Sequence, residues 1–328
     1  METLRILGSG IALPERVVQS SEIDKQQGLQ KGQTETTSGV VSRYYATSES
    51  ATDLALTAIN DALANSGHRL QDIDCLISAS GTMEQAIPYN AAKIHSRLHF
   101  ETPIPAFDVN MTCLSALMAL NLAASMIASG QYKTILIVAA EVASVGIDWS
   151  DRETAGLFGD GAAALLVSHS ADTHQGIVAS HFATYSEGVD YCQIRGGGSL
   201  NHPSKIDGDY KPFGMFEMHG REVFRLSATV IDEFLMTLFA KLPFSLNDVD
   251  WVVPHQASAL AMSHMRKRLQ IPTEKVIHIL PDRGNQIAAS LPSALHELLV
   301  NHQSKKGDKV LLIGTSAGLS IGALVLVL

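Results

Sequence analysis

The sequence predicts an α/β fold assembled from two similar halves, and three observations predict it. Strand-like and helix-like segments alternate along all 328 residues, the signature of mixed α/β architecture. The strand candidates are near-continuous apolar runs, as expected for sheets covered on both faces. Two short stretches also recur at a fixed offset. LQDIDCLIS at 70–78 resembles LNDVDWVVP at 246–254, and YKTILIVAAE at 132–141 resembles DKVLLIGTSA at 308–317, each 176 residues apart.

The elements follow in order. A helical pattern over 51–65 precedes the strand DCLISAS, and a second over 113–129 precedes KTILIVAAE, which is followed by the strand AAALLVS. In the second half, helical patterns over 219–240 and 256–269 flank the strand WVVPH. One over 287–301 precedes KVLLIG, and GALVLVL closes the chain. The stretch RGGGSLNHPSKIDGDYKPFG, 195–214, reads as an exposed loop from its glycines, prolines and charges. No low-complexity linker divides the chain. Residues 1–170 and 171–328 are expected to form two halves packed about a pseudo-twofold axis. Helix N-termini from both would then meet near the middle.

Composition narrows the class. Hydrophobic residues make up 46% and charged residues 17%, so much of the chain must be buried. The longest apolar runs, ILIVAA and ALVLVL, are strand-sized and far short of the roughly 18 residues of a membrane span. The N-terminal METLRILGSGIALPE lacks a basic start followed by a long apolar block, so no signal peptide is expected. Three cysteines, Cys75, Cys113 and Cys192, make no disulfide framework, which suits a reducing cytoplasm. A net charge of −9 argues against a general nucleic-acid binder.

Cys113 lies in DVNMTCLSAL, where an apolar run turns into a helical pattern. Most free cysteines are small buried hydrophobes. This one, preceded by Asn110 and Thr112, falls at a helix start, where unpaired amides and the helix dipole favour a thiolate and lower its pKa. His255 ends the apolar strand in WVVPHQAS, at the end of a strand where α/β sheets present catalytic groups; taken alone, a satisfied structural histidine is the first reading. Asn285, in PDRGNQIAAS, is a turn or cap asparagine or an amide donor aimed at a carbonyl oxygen. GTSAGLSIG, 314–322, is a tight hairpin that can also point a backbone N–H into a site. It has neither the spacing nor the lysine of a phosphate loop, and no Cys/His set has zinc spacing.

Taken together, these motifs resemble the type III β-ketoacyl-(acyl-carrier-protein) synthases of the thiolase superfamily. The resemblance runs through GSGIALPERVV, DVNMTCLSAL, DRETAGLFGDGAAALLV, FEMHGREVFRLS, VVPHQAS, GNQIAAS and the final glycine-rich turn. It implies a five-layer αβαβα thiolase-like fold of two pseudo-duplicated halves, a homodimer, and no metal or redox cofactor. It implies Cys113 as the acyl-accepting nucleophile, completed by His255 and Asn285, with backbone amides of Cys113 and Ala317 as the oxyanion hole. The implied reaction loads an acyl group on Cys113 and condenses it with a malonyl thioester, with loss of carbon dioxide, in fatty-acid or polyketide-like biosynthesis. An acyltransferase on the same scaffold, or a non-catalytic partner subunit, are the alternative readings.

Departures from the family pattern bear on substrates. A tryptophan and an arginine that clasp coenzyme A in the family are replaced by Gln33 and Thr37, while the nucleotide-contacting Arg152 is retained. An acyl-carrier protein is therefore expected to deliver at least one thioester. Arg225, Lys267 and Arg268 match a basic docking patch for such an acidic partner, although MRKRLQ equally suits a solvated helix end, and Leu260 replaces another basic patch residue. Gly220 and Arg221 fall where the family contacts the pantetheine arm or its carrier. Thr315 replaces a phenylalanine beside the condensation site. Ile87 occupies a position that gates the acyl pocket from the partner subunit, and points to an apolar acyl tunnel. Family relatives that join two long acyl chains carry a glutamate at that gate; here Glu84 is the nearest.

Overall fold

The computed structural model describes residues 2–328. Two five-stranded sheets form its framework. In the first, the strands run in the order Arg5–Ala12, Gly161–Ser168, Thr134–Glu141, Cys75–Ser78 and Ala106–Asp108. The first two pairings are antiparallel and the last two parallel. The second repeats this order with Gly176–Thr184, Ser320–Val327, Lys309–Ser316 and Trp251–Pro254. Where the first sheet adds Ala106–Asp108, the second has only a parallel bridge from Val252 to Val276. Its opposite edge gains Glu2–Thr3, which pairs with Gly176 and Ile177.

Between the sheets lie two helices, Ser115–Ala128 and Ser290–Asn301, here called the cysteine helix and the asparagine helix. The cysteine helix has no charged residue and is apolar nearly all round, the pattern of a helix buried on every side. Its Leu117 and Leu120 share one core with Leu291, Ala294 and Leu295 of the asparagine helix and with residues of both sheets. Outside the first sheet lies the helix Ala51–Ser66, started by a Ser50–Asp53 capping box. Gly8 lets that helix approach, because a Cβ there would sit 2.6 Å from the Ala62 carbonyl oxygen. Outside the second sheet lie the helices Gly220–Phe239 and Ala259–Arg268. The layers are therefore α, β, α, β, α.

Side-chain alternation places each strand between two layers. Ile77, Ile135 and Ile137 face the central helices, whereas Leu76, Leu136 and Val138 face the helix Ala51–Ser66. Val253, Val310 and Leu312 face the centre in the second sheet, and Val252, Leu311 and Ile313 face outward. The register corrects one sequence expectation. Cys75 pairs with Ile135, and its counterpart Trp251 pairs with Val310. The first recurring stretch repeats at 176 residues, but the second repeats at 175. A one-residue slip would turn every side chain of the strand to the wrong layer; similarity between two aliphatic runs does not detect it.

Arg5–Ala12 and Gly176–Thr184 are strands that the apolar-run pattern does not reveal. Glycines interrupt the first, and polar residues face out of the second. The expected helix starts at 113 and 287 each begin with a 3-10 turn, Thr112–Leu114 and Ile287–Ala289. Residues 195–214 form a largely exposed loop with two short 3-10 turns. Among the described residues no helix is long and apolar enough to cross a membrane.

Candidate active site

The duplication produces two nearly identical turns ahead of the central helices. In the first, Asn110 Oδ1 accepts from the Thr112 amide at 2.9 Å, and Ser115 Oγ accepts from the Met111 amide at 2.9 Å. In the second, Asn285 Oδ1 accepts from the Ile287 amide at 2.9 Å, and Ser290 Oγ accepts from the Gln286 amide at 2.8 Å. Thr112 and Ile287 have φ of 47° and 49°, a costly conformation for β-branched residues that persists where surroundings over-determine it. Gly81 wedges between the turns: a Cβ there would lie 2.7 Å from Ile287 Cγ2 and 3.1 Å from the Thr112 carbonyl carbon. The first turn presents Cys113, and the second presents Ala288 at the same place.

Cys113, His255, Asn285, Thr315 and Ala317 all line one cavity of about 1450 Å³. The hairpin at 314–322 forms as expected, and it also aims the Ala317 amide, with the amide of Cys113 itself, at the Cys113 sulfur. Thr112 Oγ1 ties the two segments by donating to the Ala317 carbonyl at 3.3 Å. The expected thiolate is not the resting form. Burial pushes the Cys113 thiol up to about 12, and the nearby Glu141 carboxylate and Cys192 add to the rise, outweighing the two amides.

His255 is 5% exposed, and burial pushes its pKa down to about 4, so the ring is neutral. Nδ1 is buried without a partner, which leaves Nε2 as the nitrogen available to a ligand. The loop is held by the His255 amide donating to the Ile313 carbonyl at 2.8 Å. Buried Gln256 accepts from the amides of Ile279 and Leu280 at 2.9 and 3.0 Å. Gly314 must lack a side chain, because a Cβ would sit 2.7 Å from His255 Cβ.

Asn285 is braced from the first half. Its amide donates to the Leu157 carbonyl at 2.9 Å, and its carbonyl accepts from Gly159 at 3.0 Å. Gly284, at φ 66°, comes so close that a Cβ would lie 2.8 Å from the Leu157 oxygen. With Oδ1 engaged by Ile287, Nδ2 donates to the Ala257 carbonyl at 3.2 Å and keeps one hydrogen free.

Other sequence candidates scatter. Gly220, Arg221 and Arg268 line the cavity, but Arg268 is held bidentately by Asp232 at 2.8 and 3.1 Å. Arg225 and Lys267 are exposed outside it, and Leu260 is an exposed rim residue. Ile87 does not line the cavity of its own chain. It is 84% exposed, and Gln85 and Ala86 take the lining place. Glu84 reaches the cavity but is paired with Lys93 and accepts from the Thr52 amide and hydroxyl, so it serves as a helix cap. Arg152 lies in a separate pocket of about 240 Å³ together with Gln33 and Thr37.

Two residues were missed in the sequence. Trp149 stands beside Arg152 on that small pocket; only its place three residues before the retained arginine hinted at it. Glu141 is fully buried and accepts from Gly81, Thr82 and the Ala288 amide, and burial raises its pKa to about 7. Its signal was a lone charge closing the run ILIVAAE.

A cysteine, a histidine and an asparagine on one cavity of a duplicated αβαβα scaffold define the class: thiolase-fold condensing enzymes. Residues 107–186 match the model of 3-oxoacyl-[acyl-carrier-protein (ACP)] synthase III, and residues 239–328 match the model of its C-terminal part. The β-ketoacyl-[acyl-carrier-protein] synthase III of Clostridium perfringens is 33% identical, over 98% of both chains. The crystal structure of the Aquifex aeolicus 3-oxoacyl-[acyl-carrier-protein] synthase III superposes with a TM-score of 0.88 at 30% identity, covering 99% of this chain and 100% of that one. The priming β-ketosynthase of the R1128 polyketide pathway superposes with 0.90 at 27% identity, covering 100% and 96%. The chain belongs to the β-ketoacyl-(acyl-carrier-protein) synthase III family. It is a carbon–carbon bond-forming acyltransferase of fatty-acid or specialised biosynthesis, acting on thioesters.

Proposed function

We propose that Cys113 carries the acyl group and that His255 and Asn285 drive the decarboxylating condensation. The observation that carries this reading is the convergence of Cys113, His255, Asn285 and the Ala317 amide on one cavity. The nucleophile comes from the half 1–170, and the two donors come from the half 171–328. The Cys113 sulfur attacks the acyl thioester, its proton leaves with the departing thiol, and a new thioester remains. A malonyl thioester then binds with its thioester oxygen between His255 Nε2–H and the free Asn285 Nδ2–H. Neutral donors suit an oxygen that turns into an enolate as carbon dioxide departs; a carboxylate there would repel it. The α-carbon attacks the acyl carbonyl, whose oxyanion rests on the amides of Cys113 and Ala317. The Cys113 thiolate leaves and regains a proton. The test is carbon dioxide release. An acyl-loaded protein given a malonyl thioester is expected to release one carbon dioxide per β-ketoacyl product, whereas acyl transfer to a hydroxyl or amine without release would overturn the reading.

At least one thioester is proposed to arrive on an acyl-carrier protein, a reading supported by the carrier protein in the relatives' names. Arg221, Arg225 and Lys267, exposed and without a salt bridge among the described residues, are the docking cations. A coenzyme A primer is tested at the small pocket, where Trp149 and Arg152 offer a flat ring and a guanidinium despite Gln33 and Thr37. Trp149→Ala is expected to lower kcat/KM for an acyl-CoA about ten-fold relative to the carrier-borne acyl group, measured by initial rates; an unchanged ratio rules out stacking there. A homodimer is proposed because Met83, Ile87 and Tyr89 expose apolar surface on one short segment next to the cavity. Three free cysteines support a cytoplasmic setting.

A further inference from the structure

The cavity does not end at Cys113 and His255. Past Thr315 it continues between the helices Gly220–Phe239 and Ala259–Arg268, where Ala228, Ile231, Met265, Leu269, Ile313 and Ile321 line it. Thr315 pairs with Ile321 in the hairpin and shares the outward face of its strand with Ile313, towards those helices. A short side chain at 315 leaves the way to this chamber open. Gly314, next to it, packs on Leu114 and His255, so the chamber mouth adjoins both the nucleophile turn and the histidine.

The walls are of two kinds. Ser227 and His264 add a hydroxyl and an imidazole side chain to the lining. Side chains of these types can hydrogen-bond the amides of a thioester arm. That polar wall suits the arm, and the apolar floor suits a side chain on the reacting carbon.

We propose that the chamber receives an alkyl group on the α-carbon of the nucleophilic substrate, so that the preferred extender is a 2-alkylmalonyl thioester. The proposal rests on the condensing reading above. In that step the bond from the α-carbon to the carboxylate breaks and carbon dioxide leaves. The α-carbon, keeping its alkyl group and hydrogen, forms a bond to the acyl carbonyl. The carbonyl–Sγ bond of Cys113 breaks, and the thiolate takes up a proton. The product is a 2-alkyl-3-oxoacyl thioester. Each methylene buried in an apolar site favours binding about four-fold.

The experiment offers the acyl-loaded full chain an equimolar mixture of malonyl, ethylmalonyl and butylmalonyl N-acetylcysteamine thioesters and reads the products by mass. Ethylmalonyl is expected to be used roughly ten-fold faster than malonyl, and butylmalonyl at least as fast. Ala228→Phe, and the milder Ala228→Leu, are expected to reverse the order by filling the chamber; covalent loading of Cys113 reports that the variants are folded. Preference for malonyl that neither variant alters would overturn the proposal. So would variants that change the length of primer loaded on Cys113 and not the extender, which would assign the chamber to the acyl chain. Turnover of malonyl alone removes this inference and leaves the condensing reading, whereas loading without turnover of any of the three overturns both.

Discussion

Cys113→Ala is expected to abolish covalent loading altogether. Intact-protein mass of the native chain, mixed with acyl-CoA or acyl-carrier donors, should rise by one acyl group, and the variant should show none. The other thiols do not substitute. Cys75 is fully buried in a strand, and burial raises its pKa to about 11. Cys192 shares the cavity but has no pair of amides at its sulfur, and its pKa is also raised to about 11. Condensation should fall with loading by at least about a thousand-fold, as expected when a covalent route is lost. Acylation that persists in the variant would assign the nucleophile elsewhere, and no acylation of either protein would leave Cys113 as packing.

His255→Ala and Asn285→Ala are expected to separate the two half-reactions. Loading needs the Cys113 sulfur and the amides around it, so mass labelling should persist. Decarboxylation needs the two side-chain donors, so carbon dioxide release from a malonyl thioester should fall by about a hundred- to a thousand-fold for each. Equal loss of both steps would point to collapse of the site. pH supplies an independent check. In the proposed mechanism the neutral imidazole is the working form, and its lowered pKa means that it protonates only as pH falls towards about 4. Histidine protonation should therefore leave decarboxylation unaffected through pH 5–8 and depress it only below that range. A limb near 6.5 would contradict the burial that sets this value.

Much of the scaffold could be read from one dimension. The apolar runs at 134–141, 161–168, 309–316 and 320–327 are strands because both their faces are covered, and such runs announce themselves. The equivalence of the two turns was also written in the chain, as an asparagine followed five residues later by a serine at 110 and 115 and again at 285 and 290. It is unremarkable until both side chains are seen binding the same backbone amides.

The layered α/β class, the duplication, the motifs of the family and the candidates Cys113, His255 and Asn285 are all legible along the chain. These rest on local patterns: residue type, period and order. The folded arrangement settles what depends on distance across the molecule. It put the second repeat at 175 rather than 176, because a strand's facing is set by its neighbours. It sent Ile87 outward, bound Arg268 to Asp232, and set Trp149 beside Arg152. It kept Cys113 a thiol and His255 neutral, because burial outweighs the helix terminus that the chain order suggested. Charge states and cavity walls come from groups far apart in sequence, and no window of residues contains them.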